Sequence, residues 1–393
     1  MMTSFRVKSY KCLRDVDLAL TPIHVVIGQN DSGKTSLLEA MLALYRSARS
    51  DPDRTFPDPW KGTELVFDGA PNPRVEFRAR FEEVSDASSH GIDYRIAFDF
   101  SDFPRPFRAE VAEESIEGEI VPPIEDSAYY GTGLALFPFS NYKDELKSKL
   151  KRLSNVMGNA RLYRLDPRTM AAPAALDVNR KFRLDEDGFG LATLLDDILG
   201  HDPRRYLEIR DDFCRYFPQI KEIALETGTA VTRETSASGI RLSKEAMGKG
   251  IRFETLRGKT IRAQQASDGA ILYLGLLALM NTPDPPKLIL LEEPEKGIYP
   301  KRFSEVVDII RAVQTRTPEK SATQIILTTH SPYLLSAFQP EEVTLLSREN
   351  GTGPVRARGL RDAPHIHERL NDDEFYLGEL WYNLSEDELF ADA

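Results

Sequence analysis

Gly28, Gly33, Lys34 and Thr35 stand at the spacing G-x-x-x-x-G-K-[ST] inside the stretch HVVIGQNDSGKTSLLEAMLAL, His24 to Leu44. Residues of these types at this spacing make a phosphate-binding loop. The glycines let the backbone wrap so that successive N–H groups converge, the lysine reaches β- and γ-phosphates, and the threonine hydroxyl coordinates Mg²⁺. Asn30, Asp31, Ser32 and Ser36 complete the loop and the first turn that follows it. The chemistry expected is the binding of ATP or GTP with Mg²⁺. The flanking elements agree: Val25, Val26 and Ile27 are β-branched and predict a central strand, while Ser36 to Leu44 repeats apolar residues at helical spacing. A loop between them also receives the partial positive charge of the helix N-terminus. An ordinary Gly-rich turn needs none of these neighbours.

A second constellation lies in KLILLEEPEKGIYP, Lys287 to Pro300, where four apolar residues end in two carboxylates. A buried parallel strand delivers acids to the edge of its sheet in this way. Consecutive strand residues point opposite ways, so Glu292 is expected to face Mg²⁺ and Glu293 the attacking water, as general base or water-orienting group. Alone, two glutamates after a strand are a solvated strand end; beside the phosphate loop they read as the second nucleotide motif. Further on, QIILTTHSPYLLS places His330 at the end of an apolar run and before a new helix, within reach of a γ-phosphate. Ser267, Asp268 and Gly269 open the apolar helix of QQASDGAILYLGLLALM; they suit either a plain N-cap or a polar helix start offering N–H groups and a hydroxyl to a phosphate. His365 and His367 have no neighbouring carboxylate cluster and read as a loop feature.

Composition limits the rest. The chain has 393 residues, enough for two to three domains or one large α/β unit with insertions, and 51 Lys and Arg against 62 Asp and Glu give a net charge of −11. No global basic field draws it to nucleic acid or an anionic membrane. Locally, Arg241 to Arg262 carries seven Lys and Arg against two Glu, so DNA contact, if made, is expected there and steeply salt-dependent. Cys12 and Cys214 form neither a disulfide framework nor a metal-ligand spacing, which suits a reducing cytosol. The N-terminus lacks the apolar core of a signal peptide, and the longest apolar run, Ala270 to Met280, is too short to span a bilayer. A cytoplasmic protein without membrane contact is expected.

Along the chain, FRVKSY, DVDLAL, RVEFRARF and YRIAFDF alternate and predict strands, with an antiparallel flap after the phosphate loop. From about Ser101 to Gly131 loops and short strands are expected. NYKDELKSKLKRLSNVM and GLATLLDDILGHDPRRYLEIRDDFCRYFP predict helices, the latter broken at Gly200 to Pro203 with Asp202 as cap. Short alternating runs between Gln219 and Arg262 predict a second strand-rich segment. The divisions expected are 1–100, an N-terminal ATPase lobe; 101–240, an inserted region; and 241–393, a C-terminal lobe with the acidic strand.

The order of phosphate loop, SDG helix, LLEEPEKGIYP and TTHSPYLL resembles the ABC-type ATPase heads of the RecF, SMC and OLD group, above all AAA-family ATPases related to OLD proteins. Weaker similarity runs through DEDGFGLATLLDDIL and FYLGELWYNL, so it covers nearly the whole chain. The resemblance implies an α/β ABC-type head with a central, mostly parallel sheet flanked by helices, an antiparallel β flap and a helical insertion. It implies ATP as the nucleotide, Ser267 to Gly269 as the signature motif contacting ATP on a second subunit, Glu293 as the catalytic glutamate and His330 as the switch histidine. Two heads of a homodimer, or of a higher homo-oligomer, then sandwich two ATP molecules. Three departures stand out. Glu292 holds the position of the usual Mg²⁺-linked aspartate, one methylene longer. No Gln lies between Asp31 and Pro218, so the usual Q-loop glutamine is missing or replaced, and hydrolysis is slow or Mg²⁺ is held by another group. Asp31 occupies a position often filled by Gly and should turn its carboxylate from the phosphates. Ser336 to Ala393 is too short for the nuclease domain of full-length OLD proteins, so a separately encoded effector such as a nuclease is the expected partner, in anti-phage defence or DNA repair. A transporter ATPase subunit is the alternative, although the expected LSGGQ signature is absent; a small-molecule kinase leaves the SDG helix and His330 unexplained.

Overall fold

The computed structural model describes residues 1–49, 52–56, 62–83, 90–101, 108–123, 131–176, 181–235, 241–316, 323–363, 370 and 376–383. The chain divides into two units, Met1–Leu162 with Pro286–Leu291 and Thr317–Ala393, and Tyr163–Pro285 with Glu292–Arg316. Among the described residues the strands are, in chain order, β1 Met2–Tyr10, β2 Leu13–Ala19, β3 Ile23–Ile27, β4 Arg74–Glu83, β5 His90–Ser101, β6 Arg108–Ile116, β7 Glu119–Ile120 and β8 Ala160–Tyr163. They continue with β9 Ala174–Ala175, β10 Ile220–Thr235, β11 Arg241–Thr255, β12 Thr260–Arg262, β13 Leu288–Glu292, β14 Gln324–Thr329, β15 Val343–Arg348 and β16 Val355–Gly359.

Two sheets build the first unit. One has the order β2-β1-β4-β5-β6-β7 and is antiparallel throughout, the flap that the alternating sequence predicts. Along β4, Val75, Phe77, Ala79 and Phe81 are buried at every second position, which commits one face to the core. Phe56 meets Phe98 and Phe100 edge-on there, at centroid distances of 5.3 and 5.1 Å. Within the segment read as loops and short strands, β6 is longer than expected; it carries Glu114, fully buried, whose carboxylate accepts from Tyr94 Oη and from the Gly133 and Leu134 N–H groups. Burial pushes this carboxyl above its ordinary range despite those donors.

The other sheet has the order β16-β15-β3-β14-β13-β8. Its central strand β3 is buried at all five positions, as a strand covered on both faces must be. It pairs in parallel with β14, Ile23 opposite Ile325 through Ile27 opposite Thr329, and with β15, Ile27 opposite Leu345. His24 is sealed within it, its ring nitrogens against the Thr21 and Thr344 hydroxyls at 3.1 and 2.9 Å, and burial holds its pKa down to about 3. The helix Lys34–Ser47 buries Leu37 through Tyr45 in the same unit, and Asp144–Met157 buries Leu146, Leu150, Leu153 and Met157 at helical spacing.

In the second unit, the helices Leu191–His201 and Pro203–Tyr216 meet at Asp202, whose side chain accepts from the Arg204 and Arg205 N–H groups. The strand-rich segment is a single long hairpin rather than short runs: β10 and β11 pair antiparallel from Ile220 opposite Thr255 to Thr235 opposite Arg241. Gly228, Gly248 and Gly250 interrupt its apolar alternation, which is why the sequence shows fragments. Phe213 stacks on Phe253 at 5.4 Å and Tyr216 on Tyr273 at 3.7 Å, joining the helix Pro203–Tyr216 to the hairpin and to the helix Asp268–Met280. The latter helix is buried on every side from Ala270 to Met280. Its length stays below a bilayer span, and among the described residues no helix is long and apolar enough to cross a membrane. His365 and His367 lie outside the described residues.

Candidate functional site

The loop from Gly28 to Ser36 is shaped by close backbone approach. Gly28 has φ +154°, and a Cβ there would lie 2.4 Å from the Leu346 carbonyl oxygen and 2.5 Å from Ser32 Oγ. Gly33 is left-handed at φ +93°, caps the helix Lys34–Ser47, and would bring a Cβ within 3.0 Å of Cys12 Sγ. Only glycine fits the first position, and the second pairs a positive φ with a crowded floor. Lys34 Nζ donates to the Gly28 and Gln29 carbonyls at 2.8 Å each, drawing the loop around its own ammonium. Asp31 is exposed, left-handed at φ +61°, and its carbonyl accepts from Arg348 Nε at 2.7 Å, a tie that the sequence did not announce. Cys12 Sγ donates to Ser36 Oγ at 3.6 Å, so the β1–β2 turn supports the helix start.

These residues fit a phosphate group. Ser32 is 3% exposed and its Oγ, among the described residues, has no hydrogen-bond partner, while the space beside Gly28 tolerates no side chain. The register brings a further group to the same edge: Thr329 opposes Ile27, so His330 follows β14 where Gly28 follows β3. His330 is exposed, and Ser331 after it caps the short helix Pro332–Leu335.

From Glu292 onward the acidic segment, with the SDG helix, belongs to the second unit. Glu292 ends β13 and its Oε2 accepts from Arg164 Nε at 2.5 Å; Arg164 Nη1 also donates to Glu186 Oε1 at 2.7 Å. Glu293 is half-buried and left-handed at φ +47°, an unfavourable conformation for a residue with a long side chain, secured by the Lys296 N–H on its carbonyl at 3.0 Å. Ser267 is the N-cap of Asp268–Met280, its Oγ accepting from the Ala270 N–H at 3.4 Å, and Ser267 and Asp268 are both exposed. Gly269 abuts the loop after the acids: a Cβ there would meet the Gly297 carbonyl oxygen at 2.9 Å. The SDG start and the acidic loop are therefore packed against each other.

The Thr35 hydroxyl in the first unit and the Glu292 carboxylate in the second are hard oxygens of the kind Mg²⁺ prefers. Among the described residues no group of three His, Cys, Asp or Glu could hold a metal unaided, so such an ion would need phosphate oxygens or water to complete its shell. The basic stretch is thinner than its composition: Lys249 pairs with Asp196 at 2.9 Å and Arg262 with Glu226 at 3.3 Å, while Arg252, Arg257 and Lys259 are exposed. The side chains of Arg241 and Lys244 lie outside the described ones.

Comparison with known proteins agrees with this architecture. The family described as "AAA domain, putative AbiEii toxin, Type IV TA system" matches residues 23–336. The OLD nuclease of Thermus scotoductus is 22% identical over 382 residues, an alignment covering 89% of this chain and 62% of that protein, so the chain spans less than two thirds of its relative. An SMC head bound to the C-winged helix domain of ScpA superposes with a TM-score of 0.53 at 14% identity, over 93% of this chain and 99% of the head. At that identity the likeness speaks for the ABC-type head fold.

Proposed function

The chain belongs to this AAA-domain family, with an OLD-like ABC-type ATPase head, and on that premise we propose that it binds and hydrolyses ATP as a dimeric switch. The observation that carries the reading is the phosphate cradle, in which a buried Ser32 hydroxyl and a Gly28 without room for a Cβ adjoin the N-terminus of a fourteen-residue helix. The N–H groups of Gly28 to Ser36 and Lys34 would hold the phosphates, and Thr35 and Glu292 would offer oxygens to Mg²⁺. When bound, the metal neutralises charge on the phosphoryl oxygens. Glu293 orients the attacking water and takes its proton, and His330 donates to the γ-phosphate. Ser267 and Asp268, exposed at the start of a helix otherwise buried, present N–H groups and a hydroxyl to ATP on a second copy, so ATP becomes part of the interface. The partner that this reading favours is an effector such as a nuclease, in phage defence or DNA repair. DNA is the lesser candidate, because two of the described cations in the basic stretch are already paired with acids.

The test uses complementation. Lys34→Ala loses ATP affinity by at least about tenfold, as removal of a charge-assisted phosphate contact should. Ser267→Arg keeps ATP on each head but blocks closure. Mixed after subunit exchange, the two variants form one composite site with both defects and one with neither, and partial ATPase activity returns. Exchange without any return of activity would overturn the shared site.

A further inference from the structure

Arg164 stands one residue beyond β8, Glu292 ends β13, and these strands are neighbours in one sheet. The guanidinium binds Glu292 Oε2 through Nε at 2.5 Å and Glu186 Oε1 through Nη1 at 2.7 Å, so one cation is shared between two carboxylates. It is also anchored. The Arg164 N–H donates to the Glu186 carbonyl at 2.7 Å and the Asp166 N–H to the Asp187 carbonyl at 3.1 Å, which fixes the start of the side chain. Arg164 and Glu292 keep 38% and 21% of their side-chain surface, so the pair is accessible to ions and its strength is discounted by water. An arginine does not lose its proton near neutral pH, and it cannot ligate a metal.

We propose that Arg164 gates metal loading at Glu292: the carboxylate read as a Mg²⁺ ligand is held by a fixed positive charge, which a divalent cation must outcompete. The inference rests on the ATPase reading of this segment. A cation arriving at Glu292 meets the repulsion of Arg164 and the loss of its hydrogen bond. Free Mg²⁺ is therefore a poor ligand, whereas Mg²⁺ carried by ATP brings the phosphate charge that offsets Arg164. Glu186 is the counterweight. It draws the guanidinium away from Glu292, so its charge favours metal entry.

The experiment follows binding of a fluorescent ATP analogue as Mg²⁺ is raised, a readout independent of turnover. Arg164→Gln should lower the Mg²⁺ needed for half-saturation by about tenfold, within the usual range of coupling between sites, and Arg164→Lys should stay within about twofold of wild type. Glu186→Gln should move the requirement the other way, by about threefold, and it keeps the proposal testable if Arg164→Gln does not fold. In a Glu292→Gln background the Arg164→Gln shift should vanish. A requirement that rises in Arg164→Gln, or that neither variant moves while the analogue still binds, overturns the gate alone. Failure of the wild-type protein to bind the analogue at any Mg²⁺ concentration overturns the ATPase reading and the gate with it.

Discussion

At the end of β3 the chain turns on its backbone, with two glycines at positive φ; at the end of β13 it presents side chains. The first region is contiguous and shaped by two glycines at positive φ, with Ser32 and Lys34 buried and Lys34 hydrogen-bonded to carbonyls five and six residues before it. The second is half-exposed and assembled from distant parts, with 128 residues separating Arg164 from Glu292. A loop of backbone donors has its polarity fixed when the chain folds and offers little to regulate. A carboxylate with a competing cation can change partner. On the proposed reading, the first region would bind and the second would time.

The largest effect should come from the second region. Glu293→Gln keeps the left-handed backbone and most hydrogen bonding but removes the base, so turnover should fall about 10²- to 10³-fold while ATP remains bound and paired heads accumulate. Single-turnover kinetics with light scattering checks it; a protein that neither turns over nor retains ATP would erase the division between binding and timing. Next comes Gly28→Ala in the first region. The added Cβ clashes with the Leu346 carbonyl, so stability should drop by about 1–3 kcal/mol and ATP affinity by at least about tenfold, read by denaturant titration and calorimetry. Wild-type ATP affinity in this variant would mean that the loop is less rigid than its geometry.

The smallest effect sharpens how closed the first region is. His24 is neutral when folded, with its pKa held near 3 by burial, and returns to about 6.5 when unfolded. Below that value the unfolded chain takes a proton that the folded one refuses, so stability is full above about pH 6.5 and is lost as pH falls toward 3. His24→Gln should remove up to about 1.4 kcal/mol per pH unit of that slope between these limits. Equal slopes in both proteins would show water reaching β3.

What the sequence made legible divides along the same line. The strand before the glycine-rich loop and the helix after it were readable because motif, strand and helix are consecutive, and local spacing encodes them. Asp202 as a cap and Ser267 at a helix start were readable for the same reason. Arg164 and Arg348 were not, since each acts across more than a hundred residues and an arginine in a polar stretch has no local signature. The β10–β11 hairpin came through only as fragments, because register is settled by the partner strand and the glycines break the alternation that a single strand would show. For Lys249 and Arg262, composition gave a charge and geometry supplied the acids that neutralise it.

The parallel register between β3 and β14 bears on how this fold can vary. Ile23 through Ile27 oppose Ile325 through Thr329 one for one, and His330 follows without a spare residue. Adding or deleting one residue within β14 would send every later side chain to the opposite face of the sheet and carry the histidine away from the edge where Gly28 emerges. Substitutions that preserve volume should be tolerated along this strand, whereas single-residue insertions and deletions should be lethal to activity. Length variation among functional descendants of this chain must then gather in its surface connections.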